Sequence, residues 1–379
     1  VRKVVMVKRS AAIRTRSTSV AAALKKVSPL GGVRLPTASE DLHPGVLSSG
    51  VDCIDAAIGA GGYPEGRITM LHGKEACGKT TLALEAVREC QRRDGIAIYV
   101  DCERKLDLSY AQKLGVDVTQ MIYLTPPHIE AAFDTLAKAA AIIRKEDSEE
   151  GKPKTTFPIL FVYDSLQASV AKRTAEGEYD KEDYAPEAKA FSRAFAKFVP
   201  VLSDTRAVFL CLSQVRMKME SYGAREKVGV GKAPLFYSSV ILSLAPKKDE
   251  AKGSLARGKT GETIEVIVRK NQVGTPFKKC LFPIVFGKGV DKAAALLEAA
   301  RMVGLAPKKA GDGGFSPITV GETTYKIQGD SGMTKVMTTA PETFALIREA
   351  VKARFGGEEE DVVLEDAAPL EDLDDDPDA

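Results

Sequence analysis

Residues 73–80 read GKEACGKT and follow directly on the apolar run RITMLH. A glycine at each end of a short loop, followed by Lys-Thr, is the spacing that holds a chain of phosphates. Gly73 and Gly78 permit backbone angles that a Cβ would forbid, so successive N–H groups can turn inward on an anion. The helix expected to begin near Lys79 adds the positive end of its dipole. Lys79 supplies a mobile charge for the β and γ phosphates, and the Thr80 hydroxyl can ligate Mg²⁺. Lys74, Glu75, Ala76, Cys77 and Thr81 complete the cradle. Such a pattern also arises by chance, but here an alternating strand precedes it and an amphipathic stretch, KTTLALEAVRECQRRDG, follows. A nucleoside triphosphate is the expected ligand.

Hydrolysis of that ligand needs a metal and an oriented water as well. FVYDS ends an apolar run at Asp164, the position from which a carboxylate holds the Mg²⁺ shell, and YVDCE ends another with Asp101 and Glu103. Parallel strands align such C-terminal residues along the crevice where phosphates lie. Glu103 is therefore the candidate to position the attacking water, although acids at strand ends also serve as helix caps. Two polar segments each follow a strand-like run. One, at 174–189, contains Tyr184 and Lys189. The other, at 216–234, carries Arg216, Lys218, Arg225, Lys227 and Lys232, interleaved with Met217, Met219 and Tyr222. Positive charge mixed with apolar and aromatic side chains suits single-stranded nucleic acid. The same composition also fits plain surface loops.

These residues need a scaffold that brings strand ends together. Apolar runs and helical stretches alternate from RITMLHG through IAIYVDCE, MIYLT and PILFVYDS to AVFLCLSQ, with long helices expected over 128–146 and 186–203. That alternation predicts an α/β fold, a mostly parallel sheet covered by helices on both faces. Beyond residue 235 SSVILSLAP, TIEVIVRKN and KKCLFPIVFG suit an antiparallel extension. From about residue 289 helices return with a small β element, TTYKIQG, and read as a compact second domain. No internal repeat is evident.

Composition narrows the partners. No apolar run is long enough to span a membrane, and six cysteines without C-x-x-C spacing suit a reducing cytosol. Residues 358–379 hold 12 acids and no Lys or Arg, which leaves 54 basic against 40 acidic residues elsewhere, a net of +14. The first 39 residues contain nine Lys/Arg and no acid. A basic body suits a polyanionic partner, and the acidic tail either competes with that partner or simply aids solubility. Val1 is read as a GTG start codon, with Met6 as the other candidate for the first residue.

Over about residues 46 to 355 the sequence resembles the RecA family of bacterial DNA recombinases. SSGVDCIDAAIGAGGYPEGRI, GKEACGKTTL, DCERKLDLSYAQKLGVD, VYDS, EGEYD, LSQVRMKM, LFYSS and VRKNQVGTPFK carry the likeness. The resemblance implies a RecA-like P-loop ATPase core at 46–288 with ATP and Mg²⁺, and DNA-binding loops at about 174–189 and 216–234. It implies a basic oligomerisation segment at 1–45, a small α+β domain at 289–355, and a disordered acidic tail at 356–379. Glu103 would be the catalytic carboxylate, Tyr110 would stack on adenine and Asp107 would lie near its amine. Gln214 would sense the γ-phosphate, Met219 and Tyr184 would enter between base triplets, Phe236 would meet the next subunit, and Lys270 would reach a neighbour's phosphates. Activity would be strand exchange in a cytoplasmic filament on single-stranded DNA, serving repair in the SOS response. Gln272 stands where the family usually has a second lysine, the second loop has VGVGKAP, and Cys77 replaces a small hydroxyl residue. Two alternatives share the core: a paralogue that binds DNA as a scaffold or regulator, and a ring-forming DNA motor.

Overall fold

The computed structural model describes residues 45–149, 157–177, 185–217, 226–228, 230–247, 260–307, 314–320 and 323–355, without the side chains of 146–149, 215–217 and 226–228. The expected helix at 19–26, the basic N-terminal segment and the acidic tail lie outside these residues.

In chain order the strands are β1 Val46–Leu47, β2 Tyr63–Pro64, β3 Ile68–Gly73, β4 Ile96–Asp101, β5 Ile122–Leu124, β6 Ile159–Asp164 and β7 Val208–Met217, then β8 Glu226–Val228, β9 Val240–Pro246, β10 Gly261–Asn271, β11 Lys279–Val285, β12 Gly289–Val290, β13 Phe315–Val320 and β14 Thr323–Gln328. The helices are α1 Asp52–Ile58, α2 Lys79–Gln91, α3 Leu108–Lys113, α4 Ile129–Glu149, α5 Lys172–Glu176, α6 Pro186–Thr205, α7 Ala233–Tyr237, α8 Lys292–Met302, α9 Gly329–Thr339 and α10 Pro341–Lys352. The main sheet runs β12-β11-β10-β9-β3-β7-β6-β4-β5, with β8 paired to β7.

The sheet is parallel from β9 to β5. The expected antiparallel extension therefore begins one strand later than the sequence suggested. β9 lies parallel to β3 and only β10, β11 and β12 run antiparallel. Val240, Ile241, Leu242 and Leu244 of its run VILSLAP are buried, with consecutive residues on both faces covered as in a parallel strand. The polar segments are also more regular at their ends than expected. Residues 174–176 belong to α5 and 186–189 to α6, while β8 pairs back on β7 with Arg216 opposite Lys227.

Alternation along the central strands divides the core. Leu160 and Val162 of β6 and Leu210 and Leu212 of β7 face a cluster with α1, α2 and α8. Phe161 and Tyr163 of β6 and Phe209 of β7 point the other way, to α4 and α6. There Phe133 meets Phe198 at 5.2 Å and Phe195 at 5.4 Å, and Phe198 meets Phe209 at 5.3 Å. Each such ring, fully buried, contributes on the order of 2–3 kcal/mol. Ile318, Ile327, Met333, Ile347 and Val351 from the C-terminal elements join the first cluster.

Helix α2 is less amphipathic in the fold than its sequence suggests, since ten of its 13 residues are buried. Its buried acids are paired. Glu85 receives Arg88 at 2.8 Å and Lys292 of α8 at 2.7 Å, and Glu89 receives Arg92 at 2.8 Å. Beside it, Arg348 of α10 donates to Asp52 of α1 at 2.7 Å.

Candidate functional site

The phosphate-type loop lies where β3 ends at Gly73 and α2 begins at Lys79. Both glycines are required by close approach. A Cβ on Gly73 would stand 2.5 Å from the Leu244 carbonyl oxygen and 2.7 Å from Cys77 Sγ. Gly78 has φ 84°, and a Cβ there would meet Ile284 Cδ1 at 2.5 Å. Lys79 is buried, and its Nζ donates to the carbonyls of Gly73, at 2.9 Å, and Lys74. Cys77 is buried beside it, and burial pushes its thiol up against the pull of the Lys79 charge.

The ends of β4, β6 and β7 bring the acids together. Thr80 Oγ1 donates to Asp164 Oδ2 at 3.1 Å, and the Tyr99 hydroxyl donates to the same oxygen at 2.7 Å. Burial raises the Asp164 carboxyl above its ordinary range despite both hydrogen bonds, and the Glu103 and Asp101 charges add to the rise. Glu103 Oε1 accepts from Ser165 Oγ at 2.7 Å and from Gln214 Nε2 at 2.9 Å. Gln214 is itself held by the short helical turn Leu166–Ala168 after β6, because its N–H donates to Gln167 Oε1 at 2.8 Å and Gln167 Nε2 donates to its carbonyl at 3.1 Å. Asp101 has a different part. Its buried carboxylate accepts the N–H groups of Arg104, Lys105 and Leu106 and the Tyr123 hydroxyl, all within 2.9 Å, and so staples the turn that presents Glu103.

These groups line a cleft of about 610 Å³ that contains Glu75, Ala76, Gly78, Lys79, Thr80, Thr81, Glu103, Asp107, Tyr110, Asp164 and Gln214. Asp107 caps α3 by accepting from Ser109 and Tyr110, which hold its carboxyl below the usual range. The Tyr110 hydroxyl lies 3.0 Å from Thr81 Oγ1. The opposite wall was missed in the sequence: Glu262 and Ile264 of β10, Ile284 of β11, then Phe286 and Gly287. The available signal was FPIVFGKG, an apolar strand ending in an aromatic residue and a glycine turn, and Phe286 is indeed 55% exposed.

Other candidates lie apart from the cleft. Lys270 sits at a register shift in β10, and its Nζ donates to the carbonyls of Leu235 at 3.1 Å and Phe236 at 3.0 Å. Burial lowers its pKa. Phe236 is 75% exposed on α7. Lys189 is exposed in the first turns of α6, and Lys232 is exposed just before α7. Arg216 and Lys227 are placed only by their strands, while Tyr184, Lys218, Met219 and Arg225 lie outside the described residues. Among the described residues no helix is long and apolar enough to cross a membrane.

A family profile for the RecA N-terminal domain matches residues 20–291. The chain is 33% identical to a Protein RecA of Mesoplasma florum, over 71% of this chain and 76% of that one. Identity to a Protein RecA of Sulfurimonas denitrificans is 31%, over 86% of this chain and 89% of the relative. To a Protein RecA of Lactobacillus acidophilus it is 30%, over 92% and 91%.

Proposed function

The chain belongs to the RecA family, and on that premise we propose that it is an ATP-dependent recombinase that forms a filament on single-stranded DNA. It pairs that strand with a homologous duplex and exchanges strands, and DNA stimulates its ATP hydrolysis. One observation carries the reading. Gln214 holds Glu103 in the cleft, and the same strand, β7, continues to Arg216 and Met217 at the start of the basic segment. A change at the nucleotide therefore has one short covalent route to the DNA.

ATP would sit on the Gly73–Thr81 loop, with Tyr110 and Asp107 toward the base. Thr80 and Asp164 offer hard oxygen donors 3.1 Å apart, which fits Mg²⁺ completed by phosphate and water ligands. When bound, the ion offsets phosphate charge. Glu103 orients the attacking water through Oε2, because Ser165 and Gln214 occupy its other oxygen. Lys270 and Phe236, outside the cleft of their own chain, belong to the contact with the next protomer. The DNA contacts are assigned to Tyr184, Lys189, Arg216, Lys218, Met219, Arg225, Lys227 and Lys232. The division into segments at 1–45, 46–288, 289–355 and 356–379 and a cytoplasmic location belong to the same proposal.

Strand exchange measured with homologous and heterologous duplex tests it. Exchange should require homology and ATP, and Lys79→Ala should abolish it. A protein that stays monomeric and ignores oligonucleotides when saturated with a non-hydrolysable ATP analogue would overturn the proposal.

A further inference from the structure

The cleft assigned to ATP is rich in acid. Carboxylates of Glu75, Asp101, Glu103, Asp107, Asp164 and Glu262 line it, against the cations of Lys79 and Lys105. Lys79 is buried and bound to the loop's own carbonyls. Lys105 differs in both respects. Its backbone is pinned, since Asp101 accepts its N–H at 2.9 Å and those of both neighbours. Its side chain is 79% exposed, and Nζ stands 3.8 Å from Glu103 Oε2. That oxygen is the one Ser165 and Gln214 leave unclaimed.

We propose that Lys105 is a second catalytic cation of this cleft, moving from Glu103 Oε2 onto the terminal phosphate and offsetting the charge that develops there during hydrolysis. An exposed pair at 3.8 Å is weak and yields readily to a polyanion. The ammonium is a point charge on a flexible stem, so it can shift from carboxylate to phosphate oxygen while staying near both. Its fixed backbone confines the ordering that such placement needs to the side chain itself. In the step itself a water oxygen bonds to the γ phosphorus and the bond to the bridging oxygen breaks. ADP leaves with that electron pair, and the water proton passes to Glu103. Lys105 keeps its own proton throughout.

The inference rests on the proposed ATPase reading, and the test separates the two. Full-length wild type, Lys105→Ala and Lys105→Arg are compared for DNA-stimulated ATP hydrolysis and for affinity toward ADP and ADP–aluminium fluoride. Lys105→Ala should lower kcat by about tenfold to hundredfold, with KM changed by less than about threefold. It should weaken ADP–aluminium fluoride by a similar factor and leave ADP affinity unchanged, because the charge matters only in the transition state. Lys105→Arg should restore most of the rate. An unchanged kcat in Lys105→Ala, or equal losses for both ligands, overturns the role of Lys105 and leaves the ATPase reading standing. A wild type that hydrolyses no ATP overturns both.

Discussion

Glu103→Gln removes a charge from the cleft while preserving the shape of the side chain, and the geometry sets its cost. Glu103 Oε1 accepts from Ser165 at 2.7 Å and Gln214 at 2.9 Å. An amide oxygen can accept both bonds, but each then joins neutral groups and falls from about 1.5–3 to about 0.5–1.5 kcal/mol. The two together cost about 2–3 kcal/mol. The amide nitrogen would face Lys105, whose exposed side chain can turn away at little expense. Folding and ATP binding should therefore survive. The chemical step should not, because an oriented base is worth about 10²–10⁴ in rate. Steady-state hydrolysis at saturating single-stranded DNA, read beside ATP affinity and thermal unfolding, gives the answer. Turnover within about threefold of wild type, in a variant that binds ATP normally, would refute the assignment of the water to Glu103.

Three further perturbations address the frame around the site. Arg348→Met leaves Asp52, 2% exposed, as an unpaired buried carboxylate, and should destabilise by about 3–5 kcal/mol in a denaturant titration. Asp52→Asn in the same chain should recover most of that, and a loss under about 1 kcal/mol would show the pair to be dispensable. Burial raises the pKa of Asp55 from 3.8 to about 7, against hydrogen bonds from Ser48 and Ser49, with Asp52, Tyr63 and Arg348 the charged or titratable groups around it. The folded state thus holds this proton more tightly than the unfolded chain, so its contribution is greatest in acid and is lost as pH rises through about 7. Asp55→Asn should flatten that decline, and an unaltered pH profile of unfolding would count against it. Cys77, wholly buried with a raised pKa, should alkylate far more slowly in the native than in the unfolded protein. Once modified it should abolish ATP binding, because added bulk fills the loop, and normal binding by fully modified protein would contradict this.

The near wall of the cleft was legible because it is local. A phosphate cradle needs glycine, lysine and threonine within eight residues, and Asp164 and Glu103 end apolar runs whose parallel pairing puts them on one edge. The far wall was not. Glu262, Ile264, Ile284 and Phe286 come from β10, β11 and the turn beyond, and nothing in GETIEVIVRKN or FPIVFGKG states which strand will lie beside them. The same difficulty hid the direction of β9, since a short buried run reads alike in either orientation. Asp101, expected only to lie along the crevice with Glu103, does line the cleft, and its carboxylate accepts three backbone N–H groups, a use its place at a strand end did not reveal.

Contact between Gly78 and Ile284 has a consequence for synthesis. The loop leaves the ribosome about 200 residues ahead of the strand that packs on it, a lag of roughly 10–40 s at ordinary elongation rates. Until β11 emerges the nascent chain owns half a nucleotide cleft. On the proposed reading, ATP should not act as an early folding aid, and affinity for it should switch on late, as β10 and β11 close over the loop.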